Sequence, residues 1–238
     1  MIAVLEKPKN QPPGQEEILP RLENGDHLTA GEFLRRYEAM PEVKKAELVC
    51  GIVYMGSPVR VDQHGEPDAL IQTWLGTYSI ATPGVKHGVN ATVRLGPDDV
   101  LQPDGFLRLA PEYGGNTKFD SNGYLVGPPD LVVEVAASSV SIDTREKMNS
   151  YRRAGVREYL VWRTQEKALD WWFLEGDDYA ALPAEAGGTI KSRVFAGLWL
   201  DAKALMERNG ALVLARFQEG LTSPEHKAFV ESLQLKAK

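Results

Sequence analysis

A glutamate interrupts an apolar run in the segment PPDLVVEVAASS, residues 128–139. Leu131, Val132, Val133, Val135 and Ala136 surround Glu134 and describe a strand buried on both faces, where an unpaired carboxylate is costly. Such an acid calls for a cation, a metal ion or a raised pKa. Thirty residues earlier, LQPDGFLRL sets Asp104 at the head of a second apolar strand, and AELVCGIVY carries a third acid, Glu47. Lys147 follows on the next helix. Hard divalent cations such as magnesium take oxygen ligands, often one or two carboxylates with water and a substrate phosphate. Acids on several strands with one lysine therefore suggest a divalent-metal site suited to phosphodiester hydrolysis, where the metal offsets charge and activates water.

Each residue also has a structural reading. Glu134 would equally suit a buried ion pair with an arginine or lysine. Asp104 precedes glycine, a turn-forming pattern. Asp143, with Glu146 three residues on, fits a helix N-cap, and Lys147 would then be an exposed partner of Asp143 at i,i+4. Glu47 could face solvent from its strand. His64, in VDQHGEP, could contact a scissile phosphate or merely cap a helix. His27, His87 and His226 lack zinc-ligand spacing.

The elements that position these residues follow from periodicity. Residues 1–25 carry Pro8, Pro12, Pro13 and Pro20 among charges and read as a flexible tail. Thr29 and Glu32 have capping-box form and open a helix to about Met40. Strands on either side of Cys50-Gly51 form a tight hairpin. Leu70, Ile71, Trp74, Leu75 and Tyr78 recur at helical spacing within 66–80. Strands are expected near 89–95 and 104–109, and residues 110–127, rich in Gly, Asn and Asp, read as an exposed loop. The LVVEVA strand, a polar turn at 137–141, a helix over 143–154 capped by Gly155 and a strand over 157–163 make a βαβ unit with parallel pairing. A hairpin turning at 175–177 follows, then helices at 201–209 and 224–236. The expected fold is α/β, a mixed β-sheet with helices on at least one face, in one principal domain.

Composition narrows the function. The 238 residues are 43% hydrophobic and 25% charged, with net charge −6, so no basic nucleic-acid footprint covers the whole chain. The basic stretches 35–45 and 151–157 read as solvated helix ends. There is no run of 18 apolar residues and no secretory signal, so no membrane partner is expected. A single cysteine, Cys50, excludes an internal disulfide and makes a cytoplasmic location the default. Walker, dinucleotide-binding, GxSxG and HExxH motifs are absent.

Several motifs in order resemble one family. PDLVVEVAASS, followed by DTREKMNSYRRAGVREYLVW, is similar to the Uma2 family of restriction endonucleases in the PD-(D/E)XK nuclease superfamily. QPDGFL, AELVCGIVY, DQHG and the run Tyr151 to Tyr159 add to the likeness, which extends from about Thr29 to about Leu200. The resemblance implies a restriction-endonuclease-like core, a twisted mixed β-sheet with flanking helices, over residues 26–200, with 201–238 as a C-terminal helical extension. It also implies magnesium- or manganese-dependent cleavage of DNA, with Asp104 and Glu134 as metal ligands and Glu47 as a further acid. The superfamily lysine stands two residues after the glutamate, where this chain has Ala136; Lys147 is the natural substitute.

Two other readings stand beside the nuclease. One is a catalytically inactive interaction protein that retains the fold, for which the acidic charge argues, since DNA binding needs phosphate neutralisation. The other is a two-carboxylate glycosidase, which would need no lysine. Paired sites in a homodimer would serve the cutting of two strands.

Overall fold

In the computed structural model, residues 19–56 and 58–237 are described. In chain order the elements are α1 (Ala30–Glu38), β1 (Ala46–Val49), β2 (Ile52–Met55), α2 (Glu66–Ala81), β3 (Val85–Val89), β4 (Val93–Arg94), β5 (Val100–Leu101) and β6 (Gly105–Leu109). Then come β7 (Lys118–Phe119), β8 (Leu125–Val126), β9 (Leu131–Ala136), α3 (Val140–Ile142), α4 (Met148–Ala154) and β10 (Glu158–Arg163). The last are β11 (Ala168–Glu175), β12 (Asp178–Ala181), β13 (Thr189–Lys191), β14 (Trp199–Asp201), α5 (Ala202–Met206), α6 (Gly210–Leu221) and α7 (Pro224–Lys236).

One mixed sheet runs β12-β11-β10-β9-β6-β3 and a second runs β2-β1-β5-β4-β8-β7. The β9–β10 pair is parallel, as the strand–helix–strand spacing predicts, and the remaining pairs of the first sheet are antiparallel. Period-two alternation divides β9 between two cores. Leu131, Val133 and Val135 pack with Ile71, Trp74 and Tyr78 of α2, while Val132 and Ala136 face Tyr151 of α4 together with Val49, Val93 and Leu101 of the second sheet. Glu134 shares the face of Val132 and Ala136, so it points into the seam between the sheets. β1 alternates likewise. Ala46 and Leu48 pack under α1 beside Phe33, leaving Glu47 and Val49 for the seam.

Several sequence expectations need correction. Residues 1–18 of the expected tail lie outside the described residues, but Leu22 is buried against α1, so ordered packing begins before residue 26. Segment 110–127 is no plain loop: β7 and β8 extend the second sheet, and β8 pairs in parallel with β4, burying Leu125. Helical structure begins at Val140, passes through a π-type stretch, Asp143–Lys147, and continues as α4 to Gly155, whose φ of 86° is the left-handed cap conformation. Asp143 is therefore inside the helix and not its N-cap. In α1 only half the capping box forms, because Glu32 turns to Arg35 and Arg36 while Thr29 accepts from the Glu32 N–H. Helix α6 adds a helix between the two expected near the C-terminus, with Asn209 accepting from the Leu212 N–H as its cap. Leu205, Val213, Phe217 and Leu233 join the core that holds Leu131, so residues 201–237 share the core of the preceding domain.

Candidate active site

The register between β6 and β9 pairs Gly105 with Val133 and Phe106 with Val132. One step further along, this antiparallel register sets Asp104 across from Glu134. The two acids are buried neighbours: the Val135 N–H donates to Asp104 Oδ2 at 2.9 Å. Gly105 opens β6 rather than turning the chain. A β-carbon there would stand 3.0 Å from the Gln72 amide and from Leu75, so the glycine lets α2 lie close to the strand. Gln72 uses that proximity to donate to the Asp104 carbonyl at 2.9 Å.

Glu134 meets the helix that follows its own strand. Lys147 and Tyr151, spaced i,i+4 on one helix face, both donate to Glu134 Oε1, at 3.1 and 2.9 Å. The Lys147 ammonium also stands 2.9 Å from Glu47 Oε2 and 3.5 Å from Asp143 Oδ1. Asp143 lies one turn before Lys147 on the same face. Its other oxygen accepts from the Ser139 hydroxyl, and its carbonyl accepts from the Tyr159 hydroxyl. Glu47 Oε1 accepts from the Gln102 N–H at 2.8 Å. Lys147 is thus buried among three acids, not exposed beside one. The ion pair weighed as the structural reading of Glu134 is present, with Lys147 as partner.

Asp104 has its own cations. Lys45 Nζ is 3.1 Å from Oδ1, and His64 Nε2 is 3.2 Å from Oδ2. His64 sits in a π-type turn, Val61–Gly65, that leads into α2. Asp68, in the first turn of α2, adds a further acid at this rim through its electrostatic coupling to Asp104, His64 and Lys45. Glu47, His64, Asp104, Glu134 and Lys147 therefore fall in one connected cluster at the seam.

Burial sets the electrostatics. It drives the Glu134 pKa up, to about 8; Lys147 opposes the rise, while Asp104, Asp143 and Glu47 add to it. The same burial raises Asp143, again against the pull of Lys147. Burial disfavours the charge on Lys147 too, but Glu134, Glu47 and Asp143 outweigh it and hold its pKa well above the ordinary lysine value. At Asp104 burial is likewise outweighed, here by His64, Lys45 and the Val135 N–H, and the carboxyl lies far below the usual carboxylate range. His64 is raised by its hydrogen bond with Asp104 despite half-burial.

Four residues of this cluster escaped the sequence reading. Lys45 lies in the stretch taken for solvated charge, Asp143 was read as a cap, and Asp68 and Tyr151 were not singled out. The signal for Tyr151 was its i,i+4 spacing from Lys147; Lys45 had none, since only tertiary structure brings it to Asp104. The other basic stretch is partnered as well: Arg152, Arg153 and Arg157 pair with Asp178, Asp99 and Asp130. Among the described residues, no group of three or more His, Cys, Asp or Glu side chains is arranged to hold a metal ion. No described helix is long and apolar enough to cross a membrane.

Comparison with known proteins places the chain as a whole. The family model described as "Uma2: Putative restriction endonuclease" matches residues 30–203. A crystal structure of "a putative nuclease belonging to DUF820" from Anabaena variabilis superposes with a TM-score of 0.55 at 13% identity, covering 73% of this chain and 98% of the other. That likeness establishes the fold. No curated protein matches the chain.

Proposed function

The chain belongs to the Uma2 family, and we propose that it is a metal-dependent endonuclease that hydrolyses DNA phosphodiester bonds at Asp104 and Glu134. The observation that carries this reading is the convergence of four buried carboxyl groups on one seam. Glu47, Asp104, Glu134 and Asp143 are all buried, and among the described residues only Lys45, Lys147 and a protonatable His64 face them. Once Glu134 is ionised, a DNA phosphate would be repelled from such a site unless a further cation joined it.

The donor set fits a hard divalent ion. It is all oxygen, and two carboxylates completed by water suffice for magnesium or manganese. Asp104 and Glu134 would hold the ion, which supplies charge neutralisation at the phosphate and hydroxide from bound water. The remaining residues have defined tasks. Lys147 holds Glu134 and Glu47 in place, and Tyr151 fixes the Glu134 rotamer through Oε1. The Val135 N–H and Gln72 do the same for Asp104, through its carboxylate and its carbonyl. Action in the cytoplasm, and pairing of two sites in a homodimer to cut both strands, are parts of the same proposal.

Purified protein should nick or cut duplex DNA with magnesium or manganese, and Glu134→Ala should abolish it. Undiminished cleavage by the Glu134→Ala protein would overturn the assignment. A folded wild-type protein that neither binds metal nor cuts DNA would support the inactive interaction protein instead.

A further inference from the structure

Two lysines reach the acids, and they differ in what they can still do. An ammonium group has three N–H donors. That of Lys147 stands among Glu47 at 2.9 Å, Glu134 at 3.1 Å and Asp143 at 3.5 Å, and its side chain is only 6% exposed. Burial among these acids leaves it no open path to a substrate. Lys45 touches one carboxylate, Asp104 Oδ1 at 3.1 Å, and its side chain is 34% exposed. Among the described residues it has no second acid within ion-pair distance. Its partial exposure leaves room for a further acceptor at the rim where His64, 20% exposed, also lies.

We propose that Lys45 is the lysine that contacts the substrate phosphate, donating to a non-bridging oxygen, and that Lys147 is a positioning residue for the acids. This division rests on the nuclease reading and deepens it. It also removes the need for a lysine at position 136. That position faces the apolar seam with Tyr151 and Val161, where alanine fits.

The test uses the full chain with magnesium and a phosphorothioate duplex that resists cleavage, read by fluorescence anisotropy over a range of salt. One lost phosphate contact lowers the slope of log affinity against log salt by about 0.9. Lys45→Met should show that loss, Lys45→Arg should keep the wild-type slope, and Lys147→Met should leave the slope unchanged in whatever fraction folds. On cleavable DNA, Lys45→Met should slow the rate roughly 100-fold, the scale for removing one donor to developing charge, with partial recovery in Lys45→Arg. A Lys45→Met protein with the wild-type slope and rate would overturn the Lys45 assignment and leave the nuclease reading standing. A wild-type protein with no salt-dependent DNA binding would overturn both.

Discussion

Lys147 and Lys45 separate structure from chemistry at the level of single residues. Truncating one partner of a buried ion pair leaves the others as uncompensated charge, at about 3–5 kcal/mol. Lys147→Met strands three carboxylates and should destabilise the protein on that scale in urea unfolding. Lys45→Met removes a partly exposed lysine and leaves the buried Asp104 with His64 and the Val135 N–H, so it should cost less than Lys147→Met. Equal losses in the two variants would contradict the geometry. Glu134 was legible in the sequence because an acid inside LVVEVA has no ordinary explanation. Lys45 was not, because a lysine at the end of a basic stretch looks like solvated charge until β1 and β6 are brought together.

At the level of elements, the βαβ unit carries most of the site, and its strand periods and Gly155 cap were readable from sequence. The π-type stretch at Asp143–Lys147 was not, since its position depends on Lys147 reaching both β9 and β1. β10 holds a second buried acid outside the cluster. Glu158 accepts from the Ser192 hydroxyl and from the Arg193 and Val194 N–H groups, tying β10 to the turn beyond β13. Burial nonetheless lifts its pKa to about 7, against those hydrogen bonds. A folded pKa above the unfolded value means that its stabilising contribution is complete below about pH 4.5 and is lost as pH rises through 7. Glu158→Gln cannot lose it. The melting temperature of Glu158→Gln relative to wild type should therefore climb between pH 4.5 and 7.5; a constant difference would refute the linkage. At Gly105, β6 lies close against α2. Gly105→Ala should displace Gln72 and Leu75 and cost about 1–3 kcal/mol by overpacking, seen as a lower urea midpoint.

Across the whole molecule, two sheets and the helix between them converge on one seam, and the acids come from β1, the head of β6, β9 and the helix after it. Fold class and the central strands were accessible from hydrophobic period alone. The second sheet was less so, because its two-residue strands β4, β5, β7 and β8 are too short to show a period. The same convergence gathers carboxyl groups that only the folded chain brings together, so divalent ions should stabilise the folded protein by binding it and not the unfolded chain. At a metal concentration 100 times the dissociation constant the gain is about 2.7 kcal/mol, readable as a rise in melting temperature that monovalent salt at equal ionic strength does not reproduce. Calorimetric titration of manganese into wild type, Asp104→Asn and Glu134→Gln tests the shared metal site most directly. The account predicts saturable binding by the wild type, lost in both variants while their circular dichroism stays native; unaltered binding in either variant, or none in the folded wild type, would contradict it.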